Sequence, residues 1–106
     1  MDKITNKEAV RLIKDLKKRV GKTYKIDKAI LFGSRARGDH LLDSDIDLVL
    51  ISKDFPDNFH KRTRDVAVQW DSTIQLEPLC YTPEEFKEMK ERNGIARQAA
   101  VEGIVI

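Results

Sequence analysis

Ala9, Val10, Leu12, Ile13, Leu16 and Val20 recur at the three- and four-residue intervals of a helix with one buried side. Thr5 and Glu8 have the spacing of a capping box at its start, and Gly21 is placed to end it as a left-handed C′ residue. Lys7, Arg11, Lys14 and Lys18 fall on the opposite side, which makes that face a basic stripe.

The period then changes. KAILF, Lys28 to Phe32, is a short apolar run stopped by Gly33-Ser34, the pattern of a buried strand entering a tight turn. Ser34 can open a short helix, and a second strand is expected from Ile46 to Ser52. Phe55-Pro56-Asp57-Asn58 reads as a turn. The helix expected from Phe59 to about Trp70 places Val66 and Trp70 on one side, with Trp70 facing the core. TIQLEPLCY, Thr73 to Tyr81, alternates as a third strand, in which Pro78 implies a bulge or a sheet edge.

Thr82-Pro83-Glu84-Glu85 supplies a cap, a proline in the first turn and acids at the helix N-terminus, so a further helix opens there and breaks at Asn93-Gly94. A last short helix runs from Ile95 to Glu102. The predicted fold class is α+β, layered as α/β, with a small mixed sheet covered by helices. No repeat, low-complexity tract or linker divides the chain, so residues 1–106 are expected to form a single domain.

A domain of 106 residues has room for one core but not for a second unit dedicated to substrate choice. A large acceptor is therefore expected to come from a partner or from an oligomer, homomeric or heteromeric. Charged residues make up 36% of the chain, against about a quarter in an average domain, and the 41% hydrophobic share still suffices for a core. No apolar run approaches the roughly 20 residues of a membrane span, and the N-terminus lacks the apolar segment of a signal peptide. A cytoplasmic location is expected, away from membranes.

Cys80 is the only cysteine, which excludes an internal disulfide and a cysteine-based zinc cluster within one chain. The first 28 residues carry ten basic and four acidic side chains. Such a segment can attract nucleic acid or an acidic partner, although a solvated helix face is the plainer reading. No aromatic residues are interleaved among Lys14, Lys17, Lys18 and Arg19, which argues against direct nucleic-acid binding.

The stretch FGSRARGDHLLDSDID, residues 32 to 47, carries the candidate chemistry. Side chains alternate along a strand, so Asp45 and Asp47 project to one face and Ile46, Leu48 and Leu50 to the other. Two adjacent carboxylates are best tolerated with a cation between them, and hard oxygen ligands suit Mg²⁺ or Mn²⁺. Gly33-Ser34 offers backbone N–H groups with no Cβ at the tightest point, suited to an anion. Arg35 and Arg37 add forked donors for phosphate oxygens.

A lone DxD or GS pair is commonplace. The joint pattern is more specific: a buried strand, GS, ten residues, then DxD opening another apolar strand. Glu77, an acid within an otherwise apolar strand, is the candidate third carboxylate. Asp43, Asp65 and Asp71 are less suited, being placed in a loop, on a charged helix face and in a turn.

Gly33-Ser34, the spacer and Asp45-Ile46-Asp47 together resemble the signature of the DNA polymerase β-like nucleotidyltransferase superfamily. GSRARG followed by SDIDLVL is similar to its minimal nucleotidyltransferase branch, and the likeness continues through Glu77 and YTPEEF to EGIVI. The resemblance implies the polymerase β-like fold, with Gly33 and Ser34 binding a nucleoside triphosphate and help from Arg35 and Arg37. It further implies Asp45 and Asp47 holding Mg²⁺, and Glu77 as third ligand and base where the family more often has aspartate.

By the same resemblance, the expected activity is transfer of a nucleoside monophosphate, AMP from ATP, to a hydroxyl. The implied acceptor is a tyrosine of a HEPN-type toxin, for which this chain would be the antitoxin. The other readings are a non-catalytic nucleotide-binding module that silences a partner ribonuclease by contact, and a transferase acting on RNA ends or small molecules.

Overall fold

The computed structural model describes residues 6–33, 45–92 and 94–106. Helix α1 (Asn6–Val20) is followed by strand β1 (Lys28–Phe32), strand β2 (Ile46–Ile51), helix α2 (Phe59–Ala67) and strand β3 (Leu76–Tyr81). Helix α3 (Pro83–Met89), helix α4 (Ile95–Glu102) and the two-residue strand β4 (Ile104–Val105) complete the chain. The Thr5 cap and the short helix after Ser34 lie outside the described residues.

The strands form one mixed sheet in the order β3-β2-β1-β4. β1 is antiparallel to both β2 and β4, whereas β2 and β3 are parallel. The long return from β2 to β3 contains α2, as a parallel connection requires a crossover. Pro78 sits in β3, an edge strand, so its missing N–H removes no bond from the interior of the sheet.

Helices cover both faces. On one, Ala9, Ile13, Leu16 and Val20 of α1 and Val66 of α2 are buried with Ala29, Leu31, Ile46, Leu48, Leu50 and Cys80 of the sheet. On the other, Phe86 of α3 and Ala96 and Ala99 of α4 pack on Ile30, Phe32, Val49 and Ile51. The alanines, three residues apart, bring the α4 backbone close to the sheet. Covering from both sides explains why β2 is buried at every position except Asp47.

The elements depart from the sequence expectations mainly at their ends. Gly21 does not adopt positive φ; its N–H donates to Lys17 O at 2.8 Å, and the chain continues through tight turns to Tyr24. Helix α2 stops at Ala67, after which the N–H groups of Gln69 and Trp70 bond back three residues to Val66 and Ala67. The Trp70 indole donates to Ile74 O at 2.8 Å, and its ring packs against the core as expected.

Ladder pairing in β3 begins only at Leu76, although Ile74 is already buried. Helix α3 ends at Met89, short of the expected break at Asn93-Gly94, while its Thr82–Glu85 capping box is complete. β4 was not anticipated, since two residues carry too little alternation to show a strand.

Candidate functional site

β1 delivers Gly33 to the end of the sheet at which β2 and β3 begin. Phe32 is the register partner of Asp47, and Asp47 is in turn the partner of Glu77. Adjacent strands lie about 4.8 Å apart, so the side chains of Asp47 and Glu77 leave the same face as neighbours. Asp47 is half-buried and Glu77 exposed. Further along the same face, Val49 and Ile51 lie beneath α3 and α4, so the acids mark the point at which helical cover ends.

Gly33 has φ +76°, and a Cβ built there would collide with Asp47 Oδ2 and stand 3.2 Å from Asp47 Cγ. Two independent constraints therefore require glycine: the left-handed backbone and the carboxylate against it. Strand β1 thus turns directly over an acid, keeping main-chain groups beside the carboxylate pair.

A cleft of about 460 Å³ opens here, within the range of small-molecule sites. Phe32, Gly33, Asp47 and Glu77 form its sheet side. Leu79, two residues beyond Glu77 on the same face, continues that wall, and Ile95 and Gln98, one helical turn apart on α4, close the other side.

The structure thus brings together Gly33, Asp47 and Glu77. Asp45 is exposed, two residues before Asp47. Ser34, Arg35 and Arg37 lie outside the described residues. Among the described residues, no three His, Cys, Asp or Glu side chains are grouped so as to hold a metal on their own. The hard-oxygen donors present are side-by-side carboxylates at a cleft mouth. This is the donor set of ions that take one or two protein carboxylates and complete their shell with phosphate and water.

Leu79, Ile95 and Gln98 were not singled out from the sequence. Alternation from Glu77 points to Leu79, but nothing local points to Ile95 and Gln98, whose place depends on how α4 crosses the sheet. Asp65 and Asp71 are engaged elsewhere: Asp65 accepts from the Tyr24 hydroxyl at 2.6 Å and from Lys61 at 2.8 Å, and Asp71 lies 3.6 Å from Arg19.

Arg62 is a charged residue that the sequence reading passed over. It is 1% exposed, donates to Pro56 O and to Cys80 O (3.1 Å), and forks onto the two oxygens of Glu85 at 2.7 and 3.3 Å. Its guanidinium also lies 4.3 Å from the centre of the Phe59 ring. These bonds tie α2 to the end of β3 and the start of α3, away from the cleft.

Comparison with known proteins bears on the family and the fold. A protein of Methanocaldococcus jannaschii bearing the name "Putative protein adenylyltransferase MJ0141" is 41% identical over 51 residues, spanning 46% of this chain and about half, 52%, of that relative. The fold is shared with a Sulfolobus solfataricus crystal structure titled as a putative nucleotidyltransferase, with a TM-score of 0.70 over 94% of this chain and 80% of the other at 20% identity. The family model described as "Nucleotidyltransferase domain" matches residues 11–106, and the chain belongs to that family.

Proposed function

We propose that this chain is a nucleotidyltransferase that moves AMP from ATP to a hydroxyl of a partner protein. The observation that carries the reading is the register pairing of Asp47 with Glu77 beside the Gly33 turn, at the mouth of a cleft large enough for a nucleotide. Membership of the family supports the reaction class. The name of the M. jannaschii relative supports a protein acceptor.

Mg²⁺, or Mn²⁺ in its place, would be held by Asp45 and Asp47 with Glu77 beside them, and would supply charge neutralisation at the phosphates and at the departing oxygen. Gly33 and Ser34 would present main-chain donors to the triphosphate, with Arg35 and Arg37 as its forked cationic partners. Glu77, exposed on the edge strand, is reachable by an incoming hydroxyl and would accept its proton. The acceptor oxygen then bonds to the α-phosphorus as the bond to the β-bridging oxygen breaks. Pyrophosphate leaves, and the proton passes from Glu77 to solvent.

The acceptor in this reading is a tyrosine of a HEPN-type toxin, and modification of that tyrosine would make this chain an antitoxin. Tyrosine suits an open cleft, because its long flat side chain carries the hydroxyl well beyond its own backbone. The test uses ATP labelled at the α-phosphate, Mg²⁺ and the cognate HEPN-type protein, with the Asp45→Asn, Asp47→Asn double variant in parallel. Label on a partner tyrosine with the unaltered chain alone is the expected result. Equal silencing of the toxin by both proteins, without label, would instead identify a contact inhibitor.

A further inference from the structure

The cleft has two chemically different ends. Gly33 and the carboxylates lie at one, beside Phe32, whereas past Glu77 the lining becomes Leu79 on the sheet facing Ile95 on α4, with one neutral polar group, the Gln98 amide. A hydrated triphosphate gains nothing from an apolar wall, but a flat heteroaromatic ring does, and one placed amide is enough to orient it.

The amide is already partly oriented. Gln98 Nε2 donates to Glu102 Oε2, one helical turn on, at 3.5 Å. That weak bond engages one amide hydrogen, so the amide keeps Oε1 and its second N–H for a ligand, one acceptor beside one donor. Ala96 and Ala99, buried on the sheet, fix the rotation of α4, so Gln98 cannot leave this wall without unpacking the helix.

We propose that Gln98 is the base-reading residue of the site, pairing with the exocyclic amine and adjacent N7 of adenine while Ile95 and Leu79 cover the ring. A glutamine amide matches that donor–acceptor edge, whereas the corresponding edge of guanine presents two acceptors and would set O6 against Oε1. The inference rests on the transferase reading and deepens it. It makes the nucleotide choice a property of α4, a helix that carries none of the catalytic acids.

The experiment measures equilibrium binding of ATP, GTP and purine riboside triphosphate, which lacks the exocyclic amine, in Mg²⁺. It uses the unaltered chain, Gln98→Leu and Gln98→Glu. The unaltered chain should prefer ATP to both others by about tenfold, the size expected of one good bidentate pair. Gln98→Leu should bring ATP down to the level of the others. Gln98→Glu, which keeps the volume and the acceptor but loses the donor, should fall between.

An ATP preference that survives Gln98→Leu, or a loss shared equally by all three nucleotides, overturns the assignment. If labelled AMP is still transferred in either case, the transferase reading stands without it. If no nucleotide binds the unaltered chain, both readings fall together.

Discussion

Gly33 stands so close to Asp47 that the carboxylate occupies the space a Cβ would need. The turn that ends β1 is therefore built against the acid on β2, and a side chain at Gly33 would have to displace that carboxylate. Gly33→Ala must relieve positive φ as well as the collision, at a cost of about 1–3 kcal/mol. Thermal unfolding should show that loss, and AMP transfer should fall by far more than the remaining folded fraction accounts for. A variant with unchanged melting and unchanged transfer would show that the turn is not built around the acid.

Asp47→Asn and Glu77→Gln keep shape while removing charge from register partners. If the two acids serve one reaction, each single change should lower kcat at least a hundredfold, and the double variant should lose much less than the product of the two. Multiplying losses would mean that the acids act separately. Glu77→Gln, at an exposed position, should leave stability in a thermal melt within about 0.5 kcal/mol of the unaltered chain's.

Arg62 and Glu85 give a prediction away from the site. Arg62→Met leaves Pro56 and Cys80 carbonyls without their donor and releases the α2–β3–α3 tie, which should cost about 2–4 kcal/mol in a denaturant melt. Hydrogen bonds from Arg62 hold the Glu85 carboxyl below the ordinary carboxylate value of 4.5, against a smaller opposing effect of burial. A folded value below the unfolded one means that this stability is present above about pH 4.5 and is lost as pH falls through the lower folded value. The acid limb of a stability–pH curve should accordingly be shallower in Arg62→Met than in the unaltered chain.

Burial pushes the Cys80 thiol up to about 12, with Arg62 pulling weakly the other way. At pH 8 it is therefore protonated and enclosed. Iodoacetamide should leave the folded chain unlabelled and modify Cys80 promptly in urea, as followed by mass spectrometry. Prompt labelling of the native chain would show that β3 opens readily.

Much of this protein is written locally. The apolar spacing in α1, the runs on β1 and β2, and the Thr82 cap with its proline and acids depend on residues within a turn or two of one another, and each was readable in sequence order. The strand–GS–DxD pattern was readable for the same reason, because alternation alone puts Asp45 and Asp47 on one face. Glu77 could be suspected, since an acid in an apolar strand is conspicuous.

Tertiary structure alone decided the rest. That Glu77 lies beside Asp47 follows from a parallel register set by a crossover through α2, and no short-range pattern encodes that alignment. The far wall of the cleft depends on Ala96 and Ala99 seating α4 against the sheet, and burial of Arg62 on three elements converging around one guanidinium. Local sequence determines which face a side chain takes on its own element, while packing between distant elements determines what that face meets.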